Sequence, residues 1–301
     1  MESCTRRHFL RASLAGAGLM AAAPNLLRAE PSAGRFNGTD WVPLGRTGIK
    51  VTRLAQGTGY NGYDHSSAHT RQGKEAFDRL LRHSLDQGIR FIDMADLYGS
   101  MPLVKDVIQG RQRDQLVLLS KISPRPDKWV TPSGGAKQEV DRFRQELGVE
   151  RLDVCLIHCM MDTNWPNEFK RIRDELSELK RQGVVRAVGV SCHDFGALKV
   201  AASHPWVDVI FARVNFQGGK QYACDASAEE LAGALKTARS NGKAVVGMKI
   251  FGAGKLTKPV DKDASLKFVL GNGLVDAITV GMLKPEEVDD TLERMRQLGA
   301  G

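Results

Sequence analysis

The feature that most constrains this chain is an alternation. Eight short apolar runs recur along it, and each is followed by a stretch with helical spacing. The runs are Leu54–Gly57, Phe91–Met94, Leu116–Ser120, Leu152–Ile157, Ala187–Val190, Val207–Phe211, Ala244–Met248 and Ala277–Val280. Helical patterns fall near 74–87, 101–109, 134–147, 168–182, 195–203, 227–241, 261–270 and 285–298. Short strands alternating with helices belong to a parallel sheet. Eight such units close a (β/α)8 barrel, which needs roughly 250 residues, and the chain has 301. The fold class is therefore α/β, a (β/α)8 TIM barrel. An open doubly wound sheet is the competing architecture, but eight strand–helix units are the number that closes a barrel.

Local punctuation agrees. Gly88, Gly148 and Gly183 stop helices. Ser227 with Glu230 three residues on forms a capping box, and Pro285 opens the last helix where proline is tolerated. Upstream, Trp41–Leu44 and Ile49–Thr52 flank Gly45-Arg46-Thr47-Gly48, which predicts an N-terminal β-hairpin. The expected organisation is a leader over 1–29, a linker over 30–40 and the barrel over 41–301.

The leader contains Thr5-Arg6-Arg7-His8-Phe9-Leu10-Arg11 followed by a weakly apolar stretch, Ala12–Ala23. That stretch is shorter than the roughly 20 residues needed to span a bilayer. The segment resembles a twin-arginine signal peptide, with small-residue cleavage sites near Ala23 or Ala29; the alternative is a disordered basic tail. The resemblance implies passage through the twin-arginine export machinery in a folded state, a periplasmic or cell-envelope location, and no stable membrane insertion after cleavage. The net charge of +8 lacks any block of like charges, which argues against nucleic acid as a partner. Five cysteines in a chain this long do not make a disulfide scaffold.

In a (β/α)8 barrel the chemistry sits at the C-terminal strand ends. Here apolar strands finish on polar residues: Asp93 and Asp96 after the second, Lys121 after the third, His158 after the fourth, Ser191 after the fifth. Reducing a carbonyl by hydride leaves an oxygen that needs a proton. Tyr98 is suited to donate it, provided a cation such as Lys121 lowers a phenol pKa that is otherwise near 10. Asp93 would hold Lys121, and His158 would orient the substrate oxygen. Asp96 reads as a solvated loop residue, and His65, His69, His83, His193 and His204 as mostly surface or loop histidines. His193 alone of these lies near the site edge.

These pieces resemble the aldo-keto reductase family in order and over roughly residues 41–295. They are Pro43-Leu-Gly-Arg-Thr-Gly48, Phe91-Ile-Asp-x-Ala-x-x-Tyr-Gly99, Lys121, Leu156-Ile-His158, Gly189-Val-Ser191 and Gly252-x-Gly-x-Leu256. The resemblance implies an NAD(P)-dependent oxidoreductase acting on a small carbonyl or alcohol, an aldehyde, ketone or sugar. Asp93, Tyr98, Lys121 and His158 would be its catalytic residues. It also implies a nicotinamide site built from Gly57, Thr58, Gly59, Asp93, Ser191 and Cys192, and a phosphate and adenosine site built from Lys249, Phe251, Gly252, Gly254, Gly281 and Lys284.

The chain departs from the family in places. Cys192 stands where an Asn is usual, and Glu287 where an Arg often meets the adenosine 2′-phosphate. NADP is expected on family grounds, with NAD possible. The sequence ends at Gly301, shortly after the last predicted helix, so the long C-terminal loop of many reductases is expected to be missing. Substrate choice would then fall to the loops at 60–73, 122–133 and 159–167, with Trp129, Met160, Met161 and Trp165 as pocket walls. Cys159, Cys192 and the adjacent histidines fit no standard zinc spacing, so no metal is expected. Two other readings stand beside the enzyme: a non-catalytic barrel binding a nucleotide or partner protein, and a Cys/His metal-binding or redox-sensing envelope protein.

Overall fold

A computed structural model describes residues 36–124 and 134–298. The leader and Trp129 lie outside the described residues. The chain opens with a two-stranded antiparallel hairpin, β1 (Trp41–Pro43) and β2 (Lys50–Thr52). There follow β3 (Leu54–Gly57), α1 (Ala68–Arg71), α2 (Lys74–Asp86), β4 (Phe91–Asp93) and α3 (Met101–Ile108). Next come β5 (Val117–Ile122), α4 (Ala136–Leu147), β6 (Leu152–Met160), α5 (Trp165–Glu168) and α6 (Lys170–Arg181). The remainder is β7 (Val185–Cys192), α7 (Phe195–Ser203), β8 (Val209–Arg213), α8 (Ala228–Ser240), β9 (Ala244–Met248), α9 (Pro259–Leu266), β10 (Ala277–Val280) and α10 (Pro285–Gln297). Strands β3 to β10 close into an eight-stranded barrel, parallel at every seam. The (β/α)8 expectation holds.

Parity along the strands organises the barrel. Side chains alternate between lumen and helix layer with period two. Phe91, Val117, Leu119, Val154, Leu156, Ala187, Val209 and Phe211 form one buried cluster in the lumen. Ile92, Leu118, Cys155, Ile157, Val188, Val190 and Ile210 face the helices in another. The hairpin belongs to the lumen cluster through Leu44, Ile49 and Val51, so it plugs the barrel floor. The same count sends Asp93, Lys121 and His158, two residues beyond Phe91, Leu119 and Leu156, inward at the opposite end.

Several boundaries differ from the sequence reading. β5 and β6 run on past Ser120 and Ile157, because the lumen accepts Lys121 and His158 as strand residues. The predicted helix over 168–182 is two, broken at Phe169. The C-terminal part of the predicted linker is built into the barrel: Gly38 is buried, its carbonyl accepts the Leu54 N–H at 2.8 Å, and a Cβ there would meet Leu292 at 2.6 Å.

His69 is a correction. It stands among the histidines expected mostly at the surface or in loops, yet it is fully buried, since the Ser67–Thr70 capping box folds α1 inward and sets its Nε2 2.9 Å from the Met282 carbonyl oxygen. Burial lowers its pKa to about 4 from an ordinary 6.5. The folded state thus holds a neutral ring that the unfolded chain protonates first. This contribution to stability is full above pH 6.5 and is lost as pH falls toward 4. Thermal unfolding followed from pH 7.5 to 4 is expected to show a steeper fall for the wild type than for His69→Gln.

Candidate active site

Asp93, Lys121 and His158 enter the mouth from three neighbouring strands, and Tyr98 reaches it from the turn after β4. The Lys121 ammonium is 1% exposed. It donates to Asp93 Oδ1 in a short ion pair and to the Met94 carbonyl at 2.8 Å. Asp93 Oδ2 accepts from Thr279 Oγ1 at 2.9 Å. The Lys121 Nζ lies 5.0 Å from the Tyr98 ring centroid and 5.1 Å from that of Phe211. Tyr98 Oη is 3.5 Å from His158 Nε2, and the two rings meet edge to face.

The electrostatics differ from the sequence argument in one respect. Burial, then the charge of Asp93, pushes the Tyr98 phenol well above its ordinary range. Burial and that carboxylate outweigh the nearby Lys121 ammonium, which is paired with Asp93. The phenol therefore stays protonated at neutral pH, the form a proton donor needs. His158 is held well below its ordinary pKa by burial and then by Lys121, so its ring is neutral. Its Nδ1 has no hydrogen-bond partner in the described structure.

A cavity of about 460 Å³ opens beside this group. Predicted residues Gly57, Gly59, Asp93, Tyr98, Lys249, Phe251, Gly254 and Gly281 line it. Lys121, His158, Thr58, Ser191, Cys192, Gly252 and Lys284 are not among its lining residues. Thr58 and Ser191 instead tie the backbone: Thr58 Oγ1 donates to the Asp93 carbonyl at 2.9 Å, and Ser191 Oγ accepts the Cys159 N–H at 2.9 Å. Cys192 is fully buried, with a thiol pKa raised by burial. Lys284 caps α10. Residues that sequence reasoning missed also line the cavity, among them Tyr60, Lys262, Thr279 and Met282. Thr279 was discoverable, since it lies two residues beyond the lumen residue Ala277.

Two further corrections concern neighbours. Asp96 is buried, not solvated: Arg142 Nη2 donates to its Oδ1 at 2.6 Å from α4, a partner 46 residues away. Trp165 forms no pocket wall; it is fully buried against His204 and Trp206, with ring centroids 5.3 and 6.4 Å away.

The cavity suits an anion. Lys249 lines it, and burial followed by Arg213 lowers its pKa. It makes no ion pair among the described residues. The loop after it turns through positive φ at Lys249, Gly252, Ala253 and Gly254, a concave backbone of the kind that gathers N–H groups around phosphate oxygens. At the far end stand Lys262, bonded to Asp290 at 3.0 Å, and Glu287, which accepts the Leu283 N–H at 2.7 Å. A dinucleotide with a pyrophosphate fits this donor set.

The model of the aldo/keto reductase family matches residues 53–297. The chain belongs to that family. It is 27% identical over 173 residues to L-glyceraldehyde 3-phosphate reductase of Escherichia coli strain K12, covering 53% of this chain and 47% of that protein. The chain spans about half the length of the curated relatives it matches. The holo form of an aldo-keto reductase from Bacillus halodurans superposes with a TM-score of 0.66 at 17% identity, covering 87% of this chain and 95% of that one. An aldo/keto reductase from Klebsiella pneumoniae, solved with NADP and acetate, gives 0.61 at 20% identity, covering 85% and 90%. These likenesses establish the same barrel.

Gly59 offers a direct test of the geometry. A Cβ there would lie 2.2 Å from the Tyr98 ring. Gly59→Ala is expected to destabilise by about 1–3 kcal/mol through overpacking, and to cost much less in a Tyr98→Ala background. A double-mutant cycle in urea checks this; additive effects would show that the two do not touch.

Proposed function

We infer that this protein is an NAD(P)-dependent oxidoreductase that moves a hydride between a nicotinamide and a carbonyl or alcohol. The single observation that carries this reading is convergence. A protonated phenol, a neutral imidazole and a carboxylate-paired ammonium, from three neighbouring strands and the turn after β4, meet beside a cavity that Asp93 and Tyr98 line and that suits a dinucleotide. Membership of the family supports it.

When bound, the cofactor supplies the hydride. Tyr98 Oη donates a proton to the carbonyl oxygen, and His158 Nε2 hydrogen-bonds the same oxygen and orients it. The 3.5 Å between the two groups lets one acceptor touch both. As the proton leaves, the Lys121 ammonium beneath the ring stabilises the phenolate. Asp93 and Thr279 keep that ammonium from moving. Hydride on carbon and proton on oxygen give the alcohol, and solvent reprotonates Tyr98. Lys249 and the loop to Gly254 would hold the pyrophosphate. NADP is the proposed cofactor, with Lys262 rather than Lys284 supplying the cation at the cavity end. The substrate is proposed to be a small aldehyde, ketone or sugar, framed by the loops at 60–73 and 159–167.

The same reading extends to location. Arg6-Arg7 and the weakly apolar stretch behind it support export in the folded state. The cofactor would then be loaded before export and held tightly, with a second substrate closing the turnover.

Tyr98→Phe is expected to bind NADPH with unchanged fluorescence titration and to lose carbonyl reduction by about 100-fold or more. Unchanged turnover would remove Tyr98 as the acid. For the leader, cell fractionation is expected to find the wild type in the envelope with nicotinamide detectable by mass, and the Arg6→Lys/Arg7→Lys double variant retained in the cytoplasm. Equal export of both would reject the twin-arginine reading.

A further inference from the structure

Beside the phenol lies a second cluster, of which carbonyl reduction uses only His158. His158, Cys159 and His193 each offer one ligand atom, and these atoms all lie within 4.8 Å of one another. Cys159 Sγ is 3.7 Å from His193 Nε2. The rings of His158 and His193 meet edge to face with centroids 6.1 Å apart. A thiolate and an imidazole on one tetrahedral zinc, at bonds of about 2.3 and 2.0 Å, sit roughly 3.5 Å apart. The observed sulfur–nitrogen separation is already within a few tenths of an ångström of that.

Adjacent strand residues point to opposite faces, so His158 and Cys159 should not serve the same spot. Here they do, and the backbone shows how. The pairing of β6 with β7 slips between Ile157 and Met160. Cys159 sits at φ 62°, a left-handed conformation that is costly for a residue carrying a Cβ. Two hydrogen bonds hold this bulge: the Cys159 N–H to Ser191 Oγ and the His193 N–H to the Met160 carbonyl, both 2.9 Å. Strain maintained by the surrounding structure marks a functional geometry. His158 is 5% exposed, and its Nδ1 has no hydrogen-bond partner among the described residues.

We propose that His158, Cys159 and His193 form a site for a thiophilic transition-metal ion, with Zn²⁺ as the reference ion. One thiolate and two imidazoles select such ions over Mg²⁺ or Ca²⁺. On binding, the Cys159 thiol releases its proton to solvent. Three protein ligands leave the fourth position to water or another oxygen donor. The ligands come from the ends of two strands, 34 residues apart between Cys159 and His193, which is why no linear zinc spacing announces the site.

The full chain titrated with Co²⁺ is expected to develop a sulfur-to-cobalt charge-transfer band and d–d absorption of tetrahedral intensity. Both should saturate at one equivalent and be displaced by Zn²⁺. Cys159→Ser should lose the charge-transfer band, whereas Cys224→Ser, which removes a buried thiol elsewhere, should keep it. His193→Ala should weaken Zn²⁺ binding on the order of 100-fold. Wild-type protein without the band at one equivalent of Co²⁺ overturns the proposal whatever the variants do, and so does a band that survives Cys159→Ser. The band is read without turnover, so it stands or falls separately from the carbonyl chemistry.

Discussion

An ammonium sealed inside a barrel has to be answered by a carboxylate, and the Lys121–Asp93 pair is the contact on which the rest of the mouth depends. Lys121 is 1% exposed, and a charge that deep is tolerated only when paired and hydrogen-bonded. Asp93 supplies the charge, the Met94 carbonyl a second acceptor, and Thr279 ties the far oxygen of Asp93 across to β10. Removing one partner from such a pair costs about 3–5 kcal/mol because the other charge is stranded. The pair also bolts β4, β5 and β10 together at the end where the barrel opens. Stability and geometry there are the same interaction.

That pairing shapes the neighbouring phenol. Because Asp93 claims the lysine, Tyr98 meets burial and a carboxylate before it meets a cation, and its proton is held tightly. A nearby ammonium 5.0 Å from the ring becomes decisive only once negative charge appears on the phenol oxygen. The arrangement stabilises the charge that develops on proton transfer without ionising the resting group. The neutral His158 ring completes it, since an imidazolium in the same lumen would face Lys121 directly.

The barrel was legible because eight strand–helix units leave few other closures, and period-two parity then dictates which end-of-strand residues turn inward. Asp93, Lys121 and His158 stood out as ionisable residues finishing apolar runs. Tyr98 lies on a turn, where parity says nothing, and only the motif around it pointed to it. What escaped detection depends on distant partners. Asp96 looks solvated until Arg142 folds across from α4, and His69 looks exposed until Met282 arrives over it. Ser191 ends an inward-facing run, yet its hydroxyl is taken by the Cys159 backbone, a consequence of a bulge that no local pattern encodes. Lys262 replaced Lys284 at the cavity end for a similar reason: one faces the space between α9 and α10, the other caps a helix.

The bulge in β6 gives His158 two possible partners. A neutral imidazole with one ring nitrogen beside a phenol is suited to hold a carbonyl oxygen; the same ring beside a thiol and a second imidazole is suited to hold a metal. One ring serves both only by dividing its nitrogens, an Nε2–H toward the substrate oxygen and an Nδ1 lone pair toward the cation. The two chemistries at this mouth therefore share a single side chain, His158.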